Sequence, residues 1–358
     1  MAARIYLDHA ATTPMRPEAI AAVKEGMRRW ANPSSPHAEG RGARAALEEA
    51  RARIKAALDW DGELIFTSGA SEALAIGLGR AKAGRRIVSA VEHDAVFRAA
   101  PGAEVLPVDR SGNFDGDWLS EALASGERPV VAIQSVNSET GQAQDLMTAA
   151  AIVREAGGVL LSDCAQSTGK YPLPRADMVV VSAHKLGGPP GIGALLLRDF
   201  GLLEPLGGQE YGYRAGTENL PAALGFAAAV EAPWPAVNLE TELGAAVQRL
   251  HRAIGPAGGT PVMGYGTLSA WIKAIAMPGM SAAAQLMRFD MASFAVSAGS
   301  ACSSGTLKPS RVLASFGVDP EVAARTIRVS FGWNTTADEI DAFRNAWLEI
   351  AAAAKKVA

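Results

Sequence analysis

Runs of apolar residues alternate with amphipathic stretches along the first two thirds of the chain. Seven short runs rich in valine, isoleucine and leucine predict strands, at residues 63–67, 85–90, 103–108, 129–136, 158–163, 177–183 and 192–198. Helical spacing lies between several of these runs, at residues 37–58, 71–82, 117–125 and 145–156. Continuous apolar strands that alternate with helices are typical of a mostly parallel sheet covered on both faces.

The pattern changes after residue 230. A proline-rich segment, "EAPWPAVN", precedes a predicted helix from about 238 to 254. Beyond it, the sequence predicts a strand in "SAWIKAIAM", a helix at 281–288, a strand in "TIRVSFG" and a helix that begins near Ala337. We therefore expect an α/β protein with a large domain, residues 15–254, and a smaller α/β domain formed by residues 1–14 and 255–358.

Composition narrows the classes of function. The 358 residues are 49% hydrophobic, and 34 Lys+Arg against 37 Asp+Glu leave no basic surface for nucleic acid or anionic lipid. No apolar run approaches the ~20 residues that span a bilayer, and "MAARIYLDHAATTP" lacks the apolar core of a signal peptide. Two cysteines, Cys164 and Cys302, do not make a disulfide framework. We expect a cytoplasmic protein with no nucleic-acid or membrane partner.

Polar residues follow several predicted strands. "FTSGASEA" places Ser68 and Ser71 between a strand and a helix, where free amides and hydroxyls can bind an anion. Taken alone, either serine is more simply an N-cap. His93 in "EHDAV" and Asn137 in "NSETG" follow later strands. Ligands of parallel sheets bind beyond the carboxyl ends of the strands, so these side chains are expected to meet at one site.

Asp163 and Lys185 indicate what that site binds. Asp163 ends the strand in "LLSDCAQSTGK", and a buried acid is costly unless it pairs with a cation. Lys185 follows the next strand in "VSAHKLGGPPG", where the simplest interpretation is a surface lysine in a turn. A lysine amine also forms a Schiff base with an aldehyde, and a carboxylate keeps a pyridine nitrogen protonated. Together with a phosphate site, the pair favours pyridoxal 5′-phosphate as cofactor.

These segments resemble the pyridoxal-phosphate-dependent cysteine desulfurases of the class V aminotransferase family. The same resemblance is found in five further segments: "YLDHAATTP", "NPSSPHAEGR", "GGQEYGYRAGTEN", "VSAGSACSSG" and "RVSFG". The resemblance covers nearly the whole length and implies an aspartate-aminotransferase-like fold, pyridoxal phosphate fold type I. Some positions depart from the family pattern: His9 replaces the usual Asn, Ser71 the common Thr, Ser138 a second Asn, Cys164 a small Ala and Arg311 a common His. Residues 262–290 match the family poorly.

The resemblance also implies roles for individual cofactor-binding residues. Lys185 would hold the cofactor and move the Cα proton, Asp163 would pair with the pyridinium, His93 would stack on the ring, and Gln166 would bond its phenolic oxygen. The residues that would bind the cofactor phosphate are Ala70, Ser71, Ser182 and His184. Thr217 would reach the phosphate of a partner subunit, which implies a homodimer.

The substrate and the sulfur acceptor are implied in the same way. Asn137, beside the cofactor, and Arg328 would hold the carboxylate of L-cysteine, because a guanidinium grips a carboxylate bidentately. Cys302 would accept the sulfur. It lies among Ser, Ala and Gly only, a composition that packs poorly and predicts an exposed, mobile segment. Cys164 ends a strand, where a cysteine is usually buried and inert. We expect no metal site, with Cys302 at most a transient ligand of an iron–sulfur cluster.

The predicted function is that of a cysteine desulfurase, a sulfurtransferase that converts L-cysteine to L-alanine and keeps the sulfur as a persulfide. The resemblance implies delivery to an iron–sulfur scaffold or another sulfur-acceptor protein. Two enzymes remain as alternatives, a selenocysteine lyase-like relative and a plain class V aminotransferase. A sulfur-handling binding protein without turnover is a further alternative, against which the set of Lys185, Asp163, His93 and Cys302 argues.

Overall fold

The computed structural model describes residues 4–109, 111–124, 126–262, 267–299 and 309–355. Its strands are β1 (Ile5–Tyr6), β2 (Glu63–Thr67), β3 (Arg85–Ser89), β4 (Glu104–Leu106), β5 (Pro129–Ala132), β6 (Val159–Asp163), β7 (Met178–Ser182), β8 (Gly193–Leu197), β9 (Thr260–Val262), β10 (Ile272–Ala276), β11 (Phe294–Ala295) and β12 (Thr326–Ser330).

The helices are α1 (Pro17–Arg28), α2 (Ala38–Ala57), α3 (Ala70–Gly79), α4 (Asp94–Ala99), α5 (Gly116–Leu123), α6 (Leu146–Glu155), α7 (Leu220–Glu231), α8 (Glu242–Ile254), α9 (Ala282–Met291), α10 (Arg311–Ser315), α11 (Pro320–Ala324) and α12 (Ala337–Lys355). Short 3₁₀ turns occur at Ala183–Lys185, Phe200–Leu202 and Glu210–Gly212.

The large sheet has seven strands in the order β2-β8-β7-β6-β5-β3-β4. All its pairs are parallel except those of β8, which runs antiparallel to both β2 and β7. Each strand lies within a predicted apolar run, so the prediction of a mostly parallel α/β sheet is confirmed. The parallel strands β5, β6 and β7 bring their carboxyl ends, and the polar residues that follow, to one edge of the sheet.

The sheet is buried on both faces because successive side chains of its strands point to opposite sides. On β7, Val179 and Val181 pack with α2, α5, α6 and α7 in one core, while Met178 and Val180 pack with α3 and α4 in another. This explains why the strands read as unbroken apolar runs. Five of the described helices were not predicted: α1, α4, α7, α10 and α11. The α7 sequence, "LPAALGFAAAVE", is apolar on all sides because the helix is buried, so it lacks a polar stripe.

A second core lies under the antiparallel sheet β12-β10-β9, between α8, α9 and α12. The N-terminal segment belongs to it, since β1 pairs with β11 and Leu7 is fully buried there. Helix α8 also packs in this core, against α12, whereas the predicted domain boundary followed it at residue 254. The domain bounds stay a prediction. No helix in the described ranges is both long enough and apolar enough to cross a membrane.

Candidate active site

A cavity of about 390 Å³ opens at the carboxyl edge of the large sheet. It gathers the cofactor residues predicted from the ends of different strands: Ala70, Ser71, His93, Asp163, Gln166, Ser182, His184 and Lys185. A smaller cavity of about 230 Å³ adjoins it and contains Arg328. His93, Ser138 and Lys185 line both cavities, so the two form one site with Lys185 at the junction.

Lys185 ends the 3₁₀ turn that follows β7, and its position is fixed by the N-terminal segment. The Lys185 Nζ donates a hydrogen bond of 2.6 Å to the carbonyl oxygen of Ala10. The Thr13 hydroxyl donates to the Lys185 carbonyl at 3.2 Å, and the Thr13 amide donates to the His184 carbonyl at 2.8 Å. The lysine is therefore not a solvated turn residue, because a segment from the other core holds both its backbone and its amine.

Asp163 ends β6, and its Oδ1 accepts the amide of Ala165 at 2.9 Å. Burial raises the pKa of Asp163, and the nearby His93 and Lys185 only partly oppose that rise. A cation against the carboxylate would lower the pKa, since an opposite charge favours the ionised form. This is the environment that a protonated pyridine nitrogen requires of its partner.

His93 is the N-cap residue of α4, and its Nδ1 accepts the amide of Ala95 at 3.1 Å. This bond fixes the ring plane and leaves the Nε2 atom to carry the proton of the neutral imidazole. Burial lowers the pKa of His93, with Lys185 adding to the effect and Asp163 opposing it. The ring therefore presents a fixed aromatic face at the junction of the two cavities.

The start of α3 forms the end of the cavity where the phosphate is predicted to bind. Its N-cap residue is Gly69, with φ of 150°, and no side chain caps the first turn. The simpler interpretation of Ser68 or Ser71 as an N-cap is therefore wrong, and the α3 N-terminus is available to an anion. Burial, with Lys185 nearby, lowers the pKa of His184 to about 4, so its ring is neutral at pH 7.

Gln166 provides a direct test of whether these residues fit pyridoxal phosphate. The side chain is buried, its Nε2 donates to the Ala10 carbonyl at 2.9 Å, and its Oε1 has no hydrogen-bond partner among the described residues. A buried polar atom without a partner is costly. A polar ligand in the cavity would supply one. With the uncapped helix start, Asp163 and Lys185, the donors and acceptors fit this cofactor.

The adjoining cavity contains one predicted substrate residue and several that were not predicted. Arg328, on β12, donates to Asp8 at 2.8 Å and to the Ser138 carbonyl at 3.0 Å, while its Nε has no partner among the described residues. Glu139 and Arg311 also line this cavity. Glu139 could have been found by its place two residues after Asn137, in the loop that follows β5. For Arg311, the only indication in the sequence was that an arginine stands where the family commonly has a histidine.

Three further predicted residues lie apart from the cavities or outside the described ranges. The buried Asn137 side chain is engaged by the protein itself: its amide donates to the Val91 carbonyl, which follows β3, and its oxygen accepts from the amides of Glu139 and Thr140 in its own loop at 2.9 Å. Its contact with substrate or cofactor stays a prediction. Thr217 is exposed on the loop before α7. Cys302 lies in the 300–308 gap, outside the described residues.

Cys164 is buried within the large-domain core, as the strand-end position suggested. Burial raises the pKa of its thiol to about 12, so it carries almost no thiolate at pH 7. Within the ranges that the structure describes, no group of three or more His, Cys, Asp or Glu residues is placed to hold a metal ion.

The fold and this lysine–aspartate site define a class of protein. The family model described as "Aminotransferase class-V" matches residues 5–343, and the chain belongs to this pyridoxal-phosphate-dependent family. Within it, the "Cysteine desulfurase IscS" of Dictyoglomus turgidum is 33% identical over 95% of this chain and 93% of its own length. The "Putative cysteine desulfurase IscS 1" of Bacillus subtilis is 34% identical over 94% of this chain and 96% of its own.

Solved structures agree with the sequence relatives. The structure of a NifS-like protein from Rickettsia africae superimposes with a TM-score of 0.84 at 29% identity, covering 97% of this chain and 99% of that one. A structure described as "SspA in complex with cysteine" gives a TM-score of 0.79 at 28% identity, covering 93% and 100% of the two chains. The prediction of the family and of the aspartate-aminotransferase-like fold is confirmed.

Proposed function

We propose that the protein is a cysteine desulfurase, which converts L-cysteine to L-alanine and retains the sulfur as an enzyme persulfide. The observation that carries the proposal is the pair of joined cavities. One has the lysine, carboxylate and helix start that suit pyridoxal phosphate, and the other has a buried arginine for an amino acid carboxylate. The relatives named as cysteine desulfurases support the choice of substrate.

Each group has a distinct task in this proposal. When bound, pyridoxal phosphate withdraws electrons from the substrate Cα. Lys185 would anchor the cofactor through its amine and would also take the Cα proton of the substrate. Asp163 keeps the pyridine nitrogen protonated, and the His93 ring holds the plane of the cofactor. Arg328 orients the substrate by its carboxylate, so that the Cα proton faces Lys185.

The sulfur step needs a nucleophile, for which we propose Cys302. Its thiolate attacks the substrate sulfur and the Cβ–Sγ bond breaks. The electron pair of that bond stays on Cβ, which takes up a proton. Lys185 returns the proton to Cα, which completes L-alanine, and Cys302 retains the added sulfur as its persulfide. An iron–sulfur scaffold or another acceptor protein would then take the sulfur. Incubation with L-cysteine, assayed for alanine and sulfide, tests this function. A keto acid in place of alanine would identify an aminotransferase, and turnover restricted to selenocysteine would identify the lyase-like relative.

Replacing Arg328 with alanine should weaken the binding of amino acid substrates. One charge-assisted contact is worth ~1.5–3 kcal/mol, roughly 10–150-fold in affinity. Absorbance titration of the cofactor with L-cysteine measures this loss. Cysteamine, which lacks the carboxylate, is the matched ligand: its affinity should be the same in Arg328→Ala and the parent. Equal loss for both ligands would mean that the unpaired Asp8, rather than the missing carboxylate contact, causes the defect.

Cofactor retention should also depend on a partner subunit, because we propose that Thr217 completes the phosphate site across a homodimer. A mixed dimer tests this if one subunit carries Lys185→Ala and the other keeps its lysine. Thr217→Ala placed in the Lys185→Ala subunit should weaken cofactor binding in its partner, measured as cofactor release on dilution. The same change in the subunit that keeps Lys185 should have little effect there. The reverse result, or a fully active monomer in sedimentation, would contradict the proposal.

The predicted cytoplasmic location stays a prediction.

A further inference from the structure

The turn that begins α3 is fixed by a distant segment, residues 207–217, which we name the glycine-rich loop. Its Glu210 side chain is completely buried and accepts the backbone amide of Phe66, on β2, at 2.7 Å. The same carboxylate binds the Arg51 guanidinium through two bonds of 2.8 and 3.0 Å. Arg51 in turn donates to the Leu64 carbonyl at 2.6 Å. Glu210 therefore bonds directly to β2, the strand that leads into Ser68 and Gly69. We name these two residues, which precede α3, the phosphate turn.

The backbone of the loop is held in a conformation that its sequence does not favour. Glu210 and Tyr211 have φ values of 49° and 57°, in the left-handed region that residues with a Cβ seldom occupy. Such residues persist where the surroundings determine the backbone. Here the Arg51 guanidinium lies between the rings of Phe66 and Tyr211, at 4.7 and 4.9 Å from their centroids. The strain and the buried ion pair together mark a loop whose position is closely specified.

A second ion pair joins the loop to the other side of the turn. Arg214 donates from Nε to Glu72, in the first turn of α3, at 3.0 Å. Glu72 also accepts the backbone amide of Ser68. Burial tends to raise the pKa of Glu72, but the bonds from Ser68 and the Arg214 guanidinium hold it below its usual value, so the pair is charged. The loop thus forms ion pairs or hydrogen bonds with β2, before the turn, and with α3, after it.

We propose that Glu210 and Arg214 are positioning residues for the cofactor phosphate. By fixing Phe66 and Glu72 on either side of Ser68 and Gly69, they set the direction of the amides and hydroxyls at the α3 N-terminus. Binding to the phosphate then depends on the two ion pairs, whereas binding to the pyridine ring depends on Asp163, His93 and Lys185. The inference rests on the proposed function for its cofactor. It adds a role for the glycine-rich loop, which is to hold the α3 N-terminus in position.

The test compares two ligands that differ only in the phosphate. Cofactor-free protein is titrated with pyridoxal 5′-phosphate and with pyridoxal, and both affinities are measured by absorbance. In Glu210→Gln the affinity for pyridoxal phosphate should fall roughly 10-fold or more, as for the loss of a charge-assisted contact. The affinity for pyridoxal should stay within about twofold, so the ratio of the two affinities collapses. Inorganic phosphate should also raise the melting temperature less in the variant than in the parent.

A matched control is present in the chain. Glu231 pairs with Arg53 through two bonds of 2.8 and 2.6 Å, the same chemistry on the exposed end of α7. Glu231→Gln should leave both affinities unchanged. If Glu210→Gln does not fold, the same two affinities are measured in Arg214→Gln. The Arg214 side chain is partly exposed, so its replacement should not prevent folding. An equal loss for both ligands, or no loss for either, would overturn the inference. Failure of the parent to bind pyridoxal phosphate would instead reject the proposed function.

Discussion

The Cys302→Ser variant is expected to bind L-cysteine and release no alanine. Binding of the cofactor and substrate uses Lys185, Asp163 and Arg328, so the variant should stay yellow and still change its absorbance when L-cysteine is added. Sulfur transfer needs a thiolate, and a thiol is a few per cent ionised at pH 7 whereas a serine hydroxyl is not. Loss of a covalent nucleophile can cost on the order of 10⁶ in kcat, so we expect alanine to fall to background.

The chain supplies the control for this experiment, since it has two cysteines. Cys164 is buried, and burial raises the pKa of its thiol to about 12. Cys164→Ala should therefore keep persulfide formation, measured by mass spectrometry after a single addition of L-cysteine. Turnover of Cys302→Ser at the parent rate would show that another group accepts the sulfur. Loss of cysteine turnover with selenocysteine turnover intact would favour the lyase-like alternative.

The Lys185→Ala variant should lose both the covalent attachment of the cofactor and the catalytic base. Proton transfer by a positioned side chain contributes typically 10²–10⁴-fold in rate. We therefore expect alanine formation to fall by at least about that factor. Borohydride reduction followed by peptide mapping measures the attachment: the parent should be labelled at Lys185 and the variant not at all. The exposed Lys24, replaced by alanine, should leave both labelling and rate unchanged.

Lys170 is the lysine that could contradict this assignment. Its Nζ donates to the Gln166 carbonyl at 3.1 Å and lies 4.8 Å from the centroid of the Trp234 ring. Burial, with Lys185 nearby, lowers the pKa of Lys170 to about 7, so a neutral amine is available there at physiological pH. Label on the peptide of Lys170 in the parent protein would show that Lys185 is not the attachment site.

Local sequence determined the strands of the large sheet and which polar residues follow them. Parallel strands buried on both faces must be apolar throughout, so runs such as "DMVVVSA" could be identified without the tertiary structure. The residues that follow parallel strands must reach the same edge of the sheet. Asp163 and Lys185 were for that reason expected together before any distance was known, and both line one cavity in the structure.

Other features depended on contacts between segments far apart in the chain. The helix α7 was missed because burial on all sides removes the polar stripe that reveals a helix. The Asn137 amide donates to the Val91 carbonyl at a neighbouring strand end, a contact that its local sequence does not indicate. Glu139 lines the cavity that contains Arg328, and Asn137 does not. Arg328 could be assigned to the site only by resemblance, since it arrives on a strand of the other core.

The glycine-rich loop shows most clearly the difference between what the local sequence predicts and what distant contacts determine. Nothing in its local sequence indicates that Glu210 is buried or that two of its non-glycine residues adopt positive φ. Arg51 on α2 and the Phe66 amide on β2 impose that conformation. The sequence by itself determined which residue types stand at the ends of the strands. Only the tertiary structure decided how the phosphate turn is held, because the groups that hold it come from separate segments and meet only when the chain is folded.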